Sequence, residues 1–272
     1  MVSRFMVATV CASALALGSI GAVASNATAT TASPTYATAQ HSVVLPPAKA
    51  KFDYQLGGIT KPANGIKMVV RDRKAHIAPG LYNVCYINGF QTQENERSFW
   101  RKHSSLILKR KGKPVVDSAW NEQLLDIRTA KKRNKLAKIV GRWINNCAKS
   151  GYRAVEFDNL DSWSRSKNMI KKSQTRAYAR KLINRAHRVN LAAGQKNWAE
   201  FNGKTIGFNF ALVEECGTWH ECNRYIRYYG SQVYSIEYNR KSFNWSCKNY
   251  SSRIAIVLRD RALRPKGVHS YC

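Results

Sequence analysis

From residue 51 onward the sequence repeats one theme. A short run of apolar residues, mostly β-branched or aromatic, is followed by a longer segment and then another such run. The runs are 52–56, 66–70, 82–87, 114–117, 154–157, 190–193, 208–213, 233–238 and 254–258. They do not alternate strictly between apolar and polar residues, as expected of strands covered on both faces of a parallel sheet. Three intervening segments carry helix signals. Thr129 precedes a stretch with apolar positions at Leu136, Ile139, Val140, Trp143 and Ile144, which Gly151 stops. Ser173 is read as the cap of a second helix through Tyr178, Leu182, Ile183 and Ala186, and a third runs over 221–229 before Gly230. This alternation predicts an α/β fold, a single-domain (β/α)8 TIM barrel over 51–272. A doubly wound open sheet is the alternative, but no Gly-rich phosphate loop follows the first strand.

The segment before that domain reads as an address. Arg4 precedes an apolar stretch over 6–17, and Ala22-Val23-Ala24 supplies a small-residue cleavage site, the three parts of a secretory signal peptide over 1–24. A retained anchor is the alternative, but the run is short for a spanning helix, and no other apolar run of about 18 residues follows. Residues 25–50 begin Ala/Thr/Ser-rich and are read as a linker. Cys11 falls inside the apolar stretch. Beyond it are Cys85, Cys147, Cys216, Cys222, Cys247 and Cys272, an even number that favours disulfides in an oxidising compartment. Cys216 and Cys222 can close a small loop, with Cys247–Cys272 and Cys85–Cys147 as the complement. Neither Cys-x-x-Cys nor His-x-x-His occurs, so no metal or other cofactor is expected. The expected protein is a secreted, extracellular or cell-wall-associated monomer.

Charge narrows the partners. Lys and Arg number 45 against 16 Asp and Glu, a net charge of +29. Such a surplus favours polyanions, here an anionic cell-envelope surface. Seven Trp, 13 Tyr and nine Phe exclude a disordered basic tail. A nucleic-acid partner is disfavoured by the secretion signal and by the lack of a recognised motif.

With so few acids, their positions are informative. Asp53, Asp72, Asp117, Glu156, Asp158, Asp161, Glu214, Glu215, Glu237 and Asp260 fall at or near strand ends, where a barrel gathers side chains at one mouth. In Val155-Glu156-Phe157-Asp158-Asn159-Leu160-Asp161, the two-residue period of a strand puts Glu156 and Asp158 on one side, Glu156 a layer deeper. Asp158 and Glu214, from nonadjacent strands, can straddle a sugar as glycoside hydrolysis requires. Metal-assisted hydrolysis through Glu156, Asp158 and Asp161 is a rival, as is a noncatalytic carbohydrate- or envelope-binding barrel.

Seven stretches then fall in a recognisable order: Phe52-Asp53-Tyr54-Gln55-Leu56, Cys85-Tyr86-Ile87-Asn88, Leu125-Asp126-Ile127, the Val155–Asp161 segment, Gln195-Lys196-Asn197, Ala211-Leu212-Val213-Glu214-Glu215-Cys216 and Glu237-Tyr238. Together they resemble glycoside hydrolase family 114, the endo-alpha-1,4-polygalactosaminidases. The resemblance implies a TIM barrel acting on an alpha-linked galactosamine- or N-acetylgalactosamine-containing polysaccharide. It also implies catalytic carboxylates at Asp158 and Glu214, assigned as nucleophile and general acid/base with the reverse left open; retention of configuration is the corollary. Supporting roles follow. Gln55 and Asp72 are candidates for recognising hydroxyls or amines, and Asp126 and Asn159 for binding sugar or orienting a carboxylate. Tyr86, Tyr238, Trp120 and Trp163 are candidates for stacking. Asp161, Asn197 and Glu237 complete the substrate-binding candidates. Lys196 is placed among them too, where its charge lowers a neighbouring carboxylate's pKa or serves a structural ion pair. Where the family commonly has an acid, this chain has Gln91-Thr92-Gln93. Together with the +29 charge, this leads to the expectation of a neutral, N-acetylated or anionic substrate.

Overall fold

The computed structural model describes residues 42–272. The expected signal peptide, Cys11 and residues 25–41 of the expected linker lie outside the described residues. Eight parallel strands form the sheet: β1 (Phe52–Gln55), β2 (Met68–Asp72), β3 (Tyr82–Asn88), β4 (Ala154–Asp158), β5 (Ala192–Lys196), β6 (Phe210–Glu214), β7 (Val233–Glu237) and β8 (Ala255–Arg259). They pair in chain order, and a short β9 (His269–Tyr271) adds antiparallel to β8. Around them lie α1 (Arg97–Lys102), α2 (Ala130–Lys149), α3 (Ser162–Arg165), α4 (Lys172–Arg188), α5 (Cys222–Tyr229) and α6 (Arg240–Tyr250). The fold is the TIM barrel that the alternation predicts.

The two-residue period divides the core. Phe52, Tyr54, Met68, Val70, Val84, Ala154, Phe210, Leu212, Tyr234, Ile236 and Val257 pack together inside the barrel. Cys85, Ile87, Val155, Phe157, Ala193, Ala211, Val213 and Ile256 face outward and join the buried faces of the helices. Gly194 is required where the inward Phe210 ring crosses β5, because a Cβ there would lie 2.7 Å from that ring. The backbone ladder does not continue from β8 to β1. Buried Arg259 of β8 instead joins that seam, donating to Asp53 Oδ1 at 2.8 Å and to the Tyr54 carbonyl.

Several local expectations change. The run 114–117 is not a barrel strand. Its residues belong to two small antiparallel hairpins between β3 and α2, where Pro114 has no N–H to donate and Gly112 turns at φ 76°. No helix separates β1, β2 and β3; Gly- and Pro-rich loops make those crossings. Helix α6 carries no signal that was read from the sequence, although Asn239 caps it by accepting from the Lys241 and Ser242 N–H groups. Ser173 lies inside α4, whose N-cap is Lys171. Thr129 does cap α2, accepting from Lys132 N–H.

The chain is fastened before residue 51. The carbonyls of Val44, Pro46 and Pro47 accept from Tyr82, Gln232 and Tyr234. All three anticipated cysteine pairs are bonded: Cys85–Cys147, Cys216–Cys222 and Cys247–Cys272. Among the described residues, no helix is long and apolar enough to cross a membrane.

Candidate active site

The strands deliver their inward side chains to a cavity of about 390 Å³ at the C-terminal mouth of the barrel. Three neighbouring strands end in the same way. Asn159 after β4 (φ 65°), Asn197 after β5 (φ 50°) and Glu215 after β6 (φ 58°) all adopt the left-handed backbone region. The chain therefore turns sharply just beyond Asp158, Lys196 and Glu214, leaving those three as the last strand residues facing the cavity. Asparagine tolerates this conformation better than most side chains; glutamate does not, so Glu215 is a site of local strain.

Lys196 is the centre of the arrangement. It lies on the strand between those bearing Asp158 and Glu214, and its side chain is 2% exposed. Its Nζ lies 3.1 Å from Asp158 Oδ1, 3.2 Å from Glu214 Oε2, 3.3 Å from Glu156 Oε1 and 3.2 Å from the Tyr54 hydroxyl. Burial alone would drive its pKa down. The charges of Asp158 and Glu214, then of Tyr54 and Glu156, outweigh that and hold it well above the usual lysine range. Lys196 is therefore held in its ammonium form.

The carboxylates differ in their surroundings. Burial pushes the Asp158 pKa up, but the Lys196 charge, the Tyr86 hydroxyl at 2.6 Å and the Asn159 N–H at 2.8 Å prevail and hold it below the ordinary value. Asp158 is thus ionised. Glu214 accepts from the Tyr238 hydroxyl, and its own N–H donates to Asn197 Oδ1 at 2.9 Å. Glu156 lies a layer below Asp158, fully buried, with Oε1 accepting from Tyr54 at 2.8 Å and Oε2 unpartnered. Burial pushes its pKa up to about 7, Lys196 opposing and Asp158 reinforcing the shift. Glu122 reaches the rim from the β3–α2 segment, and burial pushes it to about 7 as well.

Of the residues named from sequence, Asp72, Tyr86, Trp120, Asp158, Asn159, Asp161, Lys196, Asn197, Glu214 and Tyr238 line this cavity. Gln55 does not. Its amide is spent on Asp53, Arg71 and the Thr60 carbonyl behind β1. Asp126 is buried beside α2, paired with Arg128 and Lys132. Glu237 faces outward and ties down the loop after β6, accepting from Gly217 N–H and Ser235. Its parity on β7, shared with outward Val233, carries that signal. Trp163 packs on Trp198 under Lys172 instead of facing the cavity. Glu215 pairs with Arg261 at the rim.

The sequence assigns no role to Tyr54, Glu122, Arg165 or Arg261, all of which line the cavity, and Gln93, one of the glutamines that stand in place of the family's acid, lines it with them. Tyr54 was within reach, since it shares inward parity with Phe52 on β1. Glu122 comes from a two-residue hairpin strand and Arg165 from the single turn of α3, both too short for a periodicity to point inward.

The model of glycoside-hydrolase family GH114 matches residues 33–272. No curated protein matches the chain in sequence. Among solved structures, Aspergillus fumigatus Ega3 in complex with galactosamine superposes with a TM-score of 0.70 at 19% identity, covering 85% of this chain and 98% of that one. The glycoside hydrolase domain of PelA from Pseudomonas aeruginosa gives 0.58 at 16% identity, covering 82% and 98%. At these identities the likeness speaks for the fold, which agrees with the family match over all of the described residues. With a barrel mouth that holds two facing carboxylates, this chain belongs to glycoside hydrolase family GH114.

Proposed function

We propose that the protein is a secreted hydrolase of alpha-linked polysaccharides containing galactosamine or N-acetylgalactosamine, with Asp158 as nucleophile and Glu214 as general acid/base. The carrying observation is that both carboxylates reach one cavity from β4 and β6 and share the Lys196 ammonium between them. Asp158, deeper and held ionised by three donors, suits attack on an anomeric carbon. Glu214, which is more exposed, suits protonation of the leaving oxygen and later activation of water. Oxygens at 3.1 and 3.2 Å from one shared nitrogen keep the two carboxylates near each other, and a near pair is the arrangement that a retaining site uses.

Three disulfides support an oxidising, extracytosolic compartment. The galactosamine bound to Ega3 supports an amino sugar. The cavity wall bears on the sugar's charge. Asp72, Glu122, Asp158, Asp161 and Glu214 line it against Lys196, Arg165 and Arg261, so the mouth is acidic although the protein is strongly basic. A free amine is therefore accommodated at least at one subsite, beside the neutral or N-acetylated units that the net charge favours. Release of reducing ends from fully acetylated and partly deacetylated alpha-1,4-oligogalactosamines tests both points. Asp158→Asn and Glu214→Gln should each reduce turnover by about 10²–10⁴-fold while sugar binding persists. A wild-type protein that binds these oligomers without releasing ends would replace the hydrolase with the binding-barrel reading.

A further inference from the structure

A second concave surface lies on the outer wall of the barrel. Helices α2 and α4 pack side by side there and leave an open groove of about 720 Å³. Its rim carries Lys138 and Arg142 from α2 and Lys181, Arg185 and Arg188 from α4. Helix α2 contains seven Lys and Arg and α4 contains six, with no Asp or Glu in either. Other cations of these helices are engaged: Lys132 pairs with Asp126, Arg133 donates to the Ile127 and Arg128 carbonyls, and Lys172 lies over the Trp163 ring. Among the described residues, the five at the groove have no acidic partner.

Five unpaired like charges around one depression repel one another, and an anion that enters relieves the repulsion. Spacing selects the shape of the anion. Lys138 and Arg142 are one turn apart, and Lys181 to Arg188 spans two turns, so positive charge recurs about every 5.4 Å over roughly 10 Å. One small anion meets only part of this; a linear polymer with one anion per unit meets all of it. Arg guanidinium groups add the fork that takes a carboxylate through two bonds. The disulfides place the protein where glycans, not nucleic acids, are the abundant polyanions.

We propose that the groove between α2 and α4 docks a linear anionic polysaccharide, holding the protein on an acidic glycan matrix while the barrel mouth stays free. The proposal stands on this groove alone and does not depend on the catalytic assignment. The probe is polygalacturonate oligomers of defined length, titrated onto the disulfide-bonded protein at several salt concentrations. The triple variant Arg142→Glu, Arg185→Glu, Arg188→Glu should bind at least about tenfold more weakly, with a visibly shallower salt dependence. Lys109→Glu, Arg110→Glu, Lys113→Glu, on an exposed hairpin, makes the same change in net charge and should bind within about twofold of wild type. If the triple variant does not fold, Arg142→Gln with Arg188→Gln replaces it, and thermal melts report folding. Equal losses in both triples would reduce the effect to overall charge and overturn the proposal. So would duplex DNA that competes at equal charge with the same dependence on the groove.

Discussion

At the residue scale, one ammonium sets the protonation of the site. Lys196 is the nearest cation to three carboxylates, so removing it should reach the reaction through pH before it reaches the fold. In Lys196→Met, Asp158 loses its strongest charge partner, and burial then drives its pKa upward. The acid limb of kcat/KM should move to higher pH by a unit or more; an unmoved limb would show that Lys196 only fills space. Glu156 gives an opposite signature, in stability. Its folded pKa of about 7 lies above the ordinary value of 4.5, so the folded state binds the proton more tightly than the unfolded chain. Stability from this group is therefore greatest at low pH and falls as pH rises from about 4.5 to 7. Glu122 contributes in the same window. Glu156→Gln should flatten part of that fall in urea titrations at pH 5 and pH 8, and the addition of Glu122→Gln should flatten more.

At the scale of elements, the last strand is held by a covalent tie. Cys247 on α6 joins Cys272 just beyond β9, closing a loop with a sequence separation of 25. β9 in turn supports the seam: the Val268 carbonyl accepts from Arg259, and His269 lies 3.3 Å from Asp53. Replacing both cysteines by serine should cost about 3 kcal/mol of stability through the freer unfolded chain. Hydrogen exchange should accelerate first in β9 and along the edge of β8; uniform acceleration would place the tie elsewhere in the stability of the fold. The same elements show what could be read in advance. Eight buried parallel strands were legible because continuous runs of β-branched and aromatic residues mark strands covered on both faces. Asp158 and Glu214 were legible because acids are scarce and these end strands. The hairpins around Pro114 were mistaken for a strand because a short apolar run looks alike in either setting. Glu122, Gln93 and Arg165 reach the cavity from a short hairpin, a loop and the one-turn helix α3, whose placement only tertiary packing decides. Gln55 and Glu237 were misplaced by attention to strand ends without attention to parity.

At the scale of the whole molecule, charge is segregated. Among the described residues, none of the six α-helices contains Asp or Glu, although Lys and Arg occur in every one. The acids lie instead in strands, loops and a short 3-10 turn, five of them at the barrel mouth. The helices carry about half of the chain's Lys and Arg and no acid, so their surplus is a repulsive term in the folded state, and few ion pairs offset it there. Salt should then stabilise the protein. Raising NaCl from about 0.01 M to 0.15 M shortens the screening length from about 30 Å to about 8 Å, enough to quench repulsion between neighbouring helices. The ion pairs of the mouth are buried and are screened far less. The melting temperature should accordingly rise by several degrees over this range in sodium chloride, and rise further when a polyanion occupies the α2–α4 groove. A fall in melting temperature with salt would mean that surface attraction outweighs repulsion. The acid-free helices would then need an explanation other than the accommodation of an anionic partner.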